Sequence, residues 1–469
     1  MALSRRSFLP ALAAPYLALG QRRDRPHVLF IGADDLNNSL GCYGHPIVKS
    51  PNIDRIASMG VRFDRAYCQF PLCGPSRTSL LSGLRPDSTQ ILANNISVRD
   101  KVPNALTLPQ HFKNNGWDSN RFGKMYHMDV PGSVGTNKWD DPPSWNTAIS
   151  PPGKEQHTEG TRYPIETNGK AQWVSISFSN DGKDQADDRC ADLTIEAFSQ
   201  TKDPLFVGLG FVRPHVPNVA PSRFYDLYPL ANIPAPVNPP DDRGDIPKAS
   251  ELCINTRAND IGMNDAGKRE AIRSYYASIS YMDWQVGRVL SALEKQKLLD
   301  KTIIVFWGDH GYHLGEHHRW HKRSLFEESA RAPLIIAAPG RRGKGKGSKA
   351  LVEFVDMYPT IAELGGLPVP QHCEGQSAVP LLDNPARPWK SGAFTQMHGP
   401  DNIVGRSVRT DRYRYTRWTG PYPDEELYDH QADPKEFTNL ARQADKYKDV
   451  LVRMRGTLDA GWKAAKAKV

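Results

Sequence analysis

Cysteine is scarce in this chain, six residues in 469, set against 37 glycines and 38 prolines. So few thiols over that length exclude a small scaffold stapled by disulfides. With Cys73 set aside, Cys42, Cys68, Cys190, Cys253 and Cys373 form an odd set, so at least one of them stays unpaired. Long apolar runs are missing as well. The most sustained one, Phe8–Leu19, is too short and too poorly flanked to cross a bilayer. Internal repeats and low-complexity tracts are absent, which excludes solenoids and extended linkers. Acidic residues are only slightly outnumbered, 52 against 60 Lys and Arg, for a formal net charge of +8. That balance is compatible with a polyanionic substrate. It gives nucleic-acid binding little support, because the densest basic run, "GRRGKGKGSK" (340–349), is glycine-rich and reads as a solvated loop.

What is present begins with a short leader. Arg5 and Arg6 precede the Phe8–Leu19 stretch, and the order Ser4-Arg5-Arg6-Ser7-Phe8-Leu9 resembles a twin-arginine export signal. An ordinary secretory peptide is the other reading of the same residues. Either way residues 1–21 read as removable, with no stable membrane insertion afterwards. The expected location is outside the cytoplasm, periplasmic or secreted.

Four apolar runs then organise the chain: "PHVLFIGADD" (26–35), "DPLFVGLGFVRPH" (203–215), "DKTIIVFWGDHG" (300–311) and "APLIIAAPG" (332–340). Continuous runs of this kind suggest strands buried on both faces of a largely parallel sheet. Between them, "SPNIDRIASMG" (50–60) reads as a helix stopped at Gly60. Residues 269–297 carry Ile272, Tyr276, Ile279, Met282, Val286, Val289 and Leu293 at helical spacing. The stretch from Asp129 to Asp188, and the proline-rich "ANIPAPVNPPDDRGDIPK" (231–248), read as loops and short strands decorating the sheet. Past about Gln371 the pattern changes to short strands and a terminal helix. The expected organisation is a large α/β catalytic domain over 22–370 and a smaller α+β subdomain over 371–469.

Three of the strand ends carry chemistry, where open α/β sheets place their sites. Asp34 and Asp35 end the first run, Arg213 and His215 the second, Asp309 and His310 the third. Adjacent carboxylates are costly to bury together unless a cation offsets their repulsion. Either pair alone is an ordinary turn or cap. Together they suit a hard divalent ion, Ca²⁺ or Mg²⁺. "GKMYH" sets Lys124 and His127 three residues apart, a cation and a base that could face one pocket. His215 is held between prolines in "RPHVP", stiff enough for proton transfer. "GEHHRWHKRS" (315–324) lacks the spacing of a zinc site.

"FPLCGPSRTSLLSG" (70–83) puts Cys73 at the mouth of a helix that Pro75 starts and Gly83 stops. Free N–H groups and the helix dipole there favour an anion. A thiolate nucleophile beside three metal-binding carboxylates is electrostatically awkward, however. "CGPSRTSLLSG" resembles, position for position, the signature of the type I sulfatases, Cys-x-Pro-Ser-Arg-x-x-Leu-x-Ser/Thr-Gly. The resemblance runs on through "SPNIDRIASMGVRFDRAYCQ", "SGLRPDST", "GKMYH", "RPHVP", "GDHGYHLGEH" and "ELYDHQADPKEFTNLA" in the family's order. "GKMYH", "RPHVP" and "GEHHRWHK" together look most like its iduronate-2-sulfatase branch. Gly308 departs from the Ser or Thr many relatives carry there, and "STQILANNISVRD" (88–100) matches nothing obvious.

The resemblance implies an alkaline-phosphatase-like α/β sulfatase fold and the hydrolysis of sulfate esters in a sulfated oligosaccharide, with a uronate 2-O-sulfate as the expected ester. It implies that a maturation enzyme converts Cys73 to formylglycine, whose hydrated aldehyde is the nucleophile. Asp34, Asp35, Asp309, His310 and the converted Cys73 would form a Ca²⁺ shell. Arg77 and Lys124 would stabilise the diol and the sulfate oxygens. His215 or Lys322 would serve the departing sugar oxygen, and His127 would take the proton that expels sulfate. Two other readings stay open: a phosphatase or phosphonate monoester hydrolase of the same superfamily, and a glycan-binding protein with a retired site.

Overall fold

The computed structural model describes residues 25–154, 160–163, 175–178, 181–254 and 263–468. The expected export signal lies outside these residues.

The main sheet has eight strands. In chain order they are β1 (His27–Asp34), β2 (Val61–Tyr67), β3 (Asp118–Gly123), β4 (Thr147–Ile149), β5 (Leu205–Pro214), β6 (Thr302–Gly308), β7 (Leu334–Ala337) and β8 (Lys346–Glu353). Their spatial order is β8-β2-β7-β6-β1-β5-β3-β4. All neighbouring pairs are parallel except those of β7, which runs antiparallel to β2 and β6. The run 332–340 is thus a strand of this sheet but its one reversed member. The reason is local. The 309–333 connection leaves β6 and enters β7 at the same end of the sheet, so no crossover to the far end is needed.

The central strand shows why its run is continuous. Leu29, Ile31 and Ala33 enter one core cluster, with Ala191, Ile279, Met282 and Val286. Val28 and Phe30 enter the other, with Leu80, Leu81, Phe112 and Ile361. Period-2 alternation distributes the side chains to two buried faces, so no polar face remains. Each of the Val, Leu, Ile, Phe and Met side chains, fully buried, stabilises the fold by roughly 1.5–3 kcal/mol. The helices facing the sheet include α1 (Pro51–Met59), α2 (Cys73–Ser82), α3 (Ala186–Gln200), the 31-residue α4 (Asp265–Lys295) and α5 (Met357–Leu364). Asn264 starts α4 by accepting from Gly267 N at 2.8 Å, five residues before the predicted start.

The described part of the Asp129–Asp188 region is irregular as expected, yet Thr147–Ile149 joins the edge of the main sheet. Ser175–Phe178 pairs with Thr161–Arg162 and Asn218–Pro221 in a small separate sheet. A second, antiparallel sheet follows: β9 (Ala393–His398), β10 (Val404–Arg409), β11 (Tyr413–Thr419) and β12 (Asp424–Asp429), in that order. The terminal α6 (Lys448–Ala464) covers it through Leu451 and Met454, packed with Val408, Tyr413, Tyr415 and Leu427. All six cysteines are among the described residues and none is joined to another. Among the described residues no helix is long and apolar enough to cross a membrane.

Candidate active site

Register assembles the site. β1 pairs with β6 so that Ala33 lies opposite Gly308, which brings Asp34 and Asp35 beside Asp309 and His310. On its other side Asp34 lies opposite Pro214, which delivers His215. β3 ends at Gly123 opposite Gly210, and Lys124 follows. Asp35 N donates to Asp309 Oδ1 at 3.0 Å, and Tyr275 on α4 donates from its hydroxyl to Asp35 O at 2.7 Å. These two bonds hold Asp35 in a left-handed conformation, φ 61°. The backbone also explains Gly308. A Cβ there would stand 2.5 Å from Leu36 O, so this packing admits no side chain.

Helix α2 points its first turn at these carboxylates. It is buried along its whole length, and Gly83 closes it at φ 72°. Cys73 is its first residue, with Sγ 3.3 Å from His310 Nε2 and 3.8 Å from Asp35 Oδ1. Ser76 donates to the Asp309 carbonyl. One turn on, Arg77 is fully buried and fixed at every nitrogen. Nε donates to Asp309 Oδ2 at 2.9 Å, Nη1 to Lys124 O at 2.7 Å and Nη2 to Asp34 Oδ1 at 3.2 Å. Its guanidinium lies over the Trp307 ring, 5.2 Å from the centroid.

The other expected residues surround this centre. Lys124 Nζ donates to Asp34 Oδ2 and Lys322 Nζ to Asp35 Oδ1, each at 2.5 Å. His215 Nε2 is 3.6 Å from Asp35 Oδ2. His310 uses Nδ1 on the Gly311 carbonyl at 2.9 Å. A carbonyl only accepts, so that nitrogen carries a proton, and Nε2 faces the site, 3.4 Å from Asp35 Oδ1. His127 follows the same logic. Nε2 donates to Asp129 Oδ1 at 3.0 Å, leaving a buried Nδ1 with no partner among the described residues. His127 sits near Lys124, just after β3, and among the described residues no hydrogen bond joins it to Cys73.

Charge sets the protonation states. Burial alone would raise the Asp34 carboxyl, but Lys124, then His215 and Arg77, hold it well below the usual carboxylate range. Burial likewise opposes ionisation of Asp35, yet His215 and Lys322 bring it down to about 2. Burial would lower Lys322, but Asp35 outweighs it and pushes the ammonium up. His127 falls to about 3 through burial and then Lys124, so at neutral pH it is an unprotonated base. Burial carries the Cys73 thiol well above its ordinary value despite Lys322. A neutral thiol is a poor nucleophile.

The donor set fits a hard cation. Donor atoms of Asp35, Cys73 and His310, and of Asp34, Cys73 and Asp309, lie within 4.8 Å of one another. Asp35 Oδ2 is buried with no hydrogen-bond partner among the described residues, an atom that a cation would satisfy. Three carboxylates with one imidazole suit oxygen-seeking ions. The histidine-rich segment 315–324 forms no metal cluster among the described residues.

Some participants were not visible as such. Tyr275 reads as one more core residue of α4, and Asp129 gives no signal beyond its nearness to His127. The unmatched segment 88–100 folds against α2: Asn94 Oδ1 accepts from Gly74 N at 2.8 Å, one residue from Cys73. The Lys322 loop is strained. His317, His318, His321 and Arg323 all have φ between 54° and 73°. Each such non-glycine residue costs about 1–3 kcal/mol.

The chain resembles known proteins over most of its length. Residues 26–367 match the family model described as Sulfatase, and residues 315–463 that described as N-sulphoglucosamine sulphohydrolase, C-terminal. A Sulfatase of Formosa agariphila is 34% identical, over 94% of this chain and 88% of that protein. Iduronate 2-sulfatase of Homo sapiens is 33% identical, over 89% and 91%. A solved 2-O GAG sulfatase superposes with a TM-score of 0.71 at 25% identity, covering 93% of this chain and 91% of that one. Phosphonate monoester hydrolase of Agrobacterium radiobacter gives 0.76 at 24% identity, covering 92% and 96%. That last likeness carries the fold alone. The large mixed sheet, flanking helices and C-terminal subdomain are those of the alkaline-phosphatase-like fold.

Proposed function

The chain belongs to the sulfatase family and is a sulfuric ester hydrolase acting on sulfated glycans, and from that premise we propose that it is exported and removes a uronate 2-O-sulfate, using a formylglycine made from Cys73 and a bound Ca²⁺. The observation that carries the reading is the setting of Cys73. It begins a buried helix among three carboxylates, and burial keeps it a neutral thiol. Such a position wants an uncharged precursor rather than a thiolate. Conversion would require a maturation enzyme acting on this segment, which folding buries.

Asp34, Asp35, Asp309 and His310 would hold the cation. When present, the hydrated aldehyde supplies an attacking hydroxyl and Ca²⁺ polarises the sulfuryl oxygens. The chain's own residues do the rest. Arg77, locked on three acceptors, cannot swing, so its charge is preorganised beside residue 73. Lys124 and Lys322 bring two further cations to the same centre, suited to sulfate oxygens and the departing sugar oxygen. His215 stands beside Asp35, with its Nδ1 donating to Val216 O at 2.5 Å and Nε2 turned to the site. His127, unprotonated and with a vacant Nδ1, can accept the proton whose removal expels sulfate and restores the aldehyde. The 2-O-sulfated uronate reading is supported by the likeness to iduronate 2-sulfatase and to the 2-O GAG sulfatase.

The test is sulfate release from defined sulfated oligosaccharides, with a terminal uronate 2-O-sulfate and phosphate monoesters in the panel. The mass of the Cys73 peptide is read first, to show sulfur and two hydrogens exchanged for oxygen. Release from the 2-O-sulfated uronate is the expected result. Release only from other sulfated sugars would overturn the substrate, and faster phosphate than sulfate release would overturn the reaction.

A further inference from the structure

The proline-rich excursion 231–248 has no part in the chemistry above, yet it reaches the loop that carries Lys322. That loop is a short hairpin: His313–Leu314 pairs antiparallel with Trp320–His321, and Lys322 follows the return strand. Lys322 stands between His321 at φ 70° and Arg323 at φ 73°, with His317 and His318 also left-handed at the tip. A hairpin with four non-glycine residues in that region does not hold itself; contacts from outside must fix it. The excursion supplies them. Asn238 grips the tip from both sides: Nδ2 donates to Gly315 O at 2.7 Å and Oδ1 accepts from His317 N at 3.1 Å. Asp242 accepts from His317 Nδ1 at 3.1 and 3.3 Å. The His317 ring, wholly buried, stacks on Phe326 with centroids 4.0 Å apart. Pro236 closes over Gly315, where an added Cβ would lie 2.4 Å from Pro236 Cγ. Prolines at 234, 236, 239 and 240 stiffen the excursion itself.

We propose that Asn238 and Asp242 are positioning residues for Lys322, holding the hairpin tip so that its return strand delivers the ammonium to Asp35 and to the departing oxygen. This rests on the reading that Lys322 serves the leaving group. It has a consequence that general loosening would not have. A sugar alkoxide needs that help, whereas a phenolate of low basicity does not.

The experiment compares kcat and KM of the full-length matured enzyme on a sugar sulfate and on 4-nitrocatechol sulfate. Asn238→Ala and Asp242→Ala should each lower kcat on the sugar sulfate about tenfold, with KM and the aryl sulfate changed less than about twofold. Asp242→Asn keeps one acceptor for His317 and should restore most of the loss. Added to Lys322→Ala, Asn238→Ala should lower kcat no further. Equal loss on both substrates, or additive loss with Lys322→Ala, would overturn the proposal. Amide hydrogen exchange over 313–324 separates this from failure of the functional reading. If the wild type released sulfate from neither ester, that reading would fall. The clamp would still be supported by faster exchange in Asn238→Ala and refuted by unchanged exchange.

Discussion

At the active site Asp34, Asp35 and Asp309 face Arg77, Lys124 and Lys322; at the seam between the two sheets Glu327, Glu353, Asp356 and Glu436 face Arg85, Lys390 and Arg414. Both sets are buried, apart from Lys322, whose side chain is 13% exposed. They differ in closure. At the seam every carboxylate oxygen is taken. Glu353 meets Arg85 in two parallel bonds of 2.8 Å, and Lys390 bridges it to Asp356 at 2.8 and 2.6 Å. Arg414 joins Glu327 to Glu436, which also accepts from His430 and from Glu327 N, both at 2.7 Å. Glu327, His430 and Glu436 lie within metal-binding reach of one another, but Arg414 already fills the cation's place. The site leaves Asp35 Oδ2 vacant and sets a thiol among its acids. Burial of charge therefore does not distinguish a working centre from a structural one. Between these two clusters the unfilled Asp35 Oδ2 does.

The largest effect should come from the thiol. Cys73→Ala should abolish sulfate release, a loss on the order of 10⁴-fold or more, while the unfolding midpoint moves little. Residual turnover near the wild-type rate would place the nucleophile elsewhere. Next is the cation. Dialysis against a chelator should cost on the order of 10²-fold in kcat and be reversed by Ca²⁺. The same treatment of Cys73→Ala should still lower its unfolding midpoint, because the carboxylates remain. A midpoint blind to both chelator and Ca²⁺ would remove the metal from the site. The seam should answer oppositely. Arg414→Ala strands Glu327 and Glu436, so the protein should lose about 3–5 kcal/mol of stability, read from urea titration. The folded fraction should keep its kcat. A large loss of kcat there would dissolve the distinction between the clusters.

How much of this was legible follows from the same comparison. The strands were, because β1, β5 and β6 are buried on both faces and so lack polar alternation. Their ends were too, since Asp34, Asp35, Asp309 and His310 follow directly on apolar runs, and parallel register then brings them together. Cys73 was legible through its local signature, which occupies one helix. The seam was not. Arg85 and Glu353 are 268 residues apart, and nothing local marks a partner at that distance. The reversed direction of β7 was hidden for a related reason, because an apolar run has no sense of orientation. Thr147–Ile149 escaped because an edge strand of three residues is shorter than any period that could reveal it. The 231–248 excursion was read only as decoration, since its contacts with Gly315 and His317 lie in tertiary space.

The smallest effect concerns carboxylates that are buried with and without a close ion pair, and there pH gives opposite signs. Burial would raise Glu353, but Arg85 and Lys390 bring it to about 2. Its contribution to stability is then full above the unfolded value near 4.5 and fades as pH falls toward 2. Glu426 on β12 is equally buried, but Arg319 only partly offsets the burial and its carboxyl is pushed up to about 7. The folded state holds that proton more tightly than the unfolded chain, so stability falls as pH rises from about 4.5 through 7. Glu426→Gln mimics the protonated form. It should leave stability unchanged below about pH 4 and raise it at pH 8, by about 1 kcal/mol from urea titration after allowing for relaxation around the charge. Glu353→Gln should instead lower the midpoint at pH 7 and flatten its decline below pH 4.5. If both variants shifted the midpoint in the same direction at pH 8, pairing would not be what separates the two carboxylates. The seam would then owe its stability to packing rather than to closed charge.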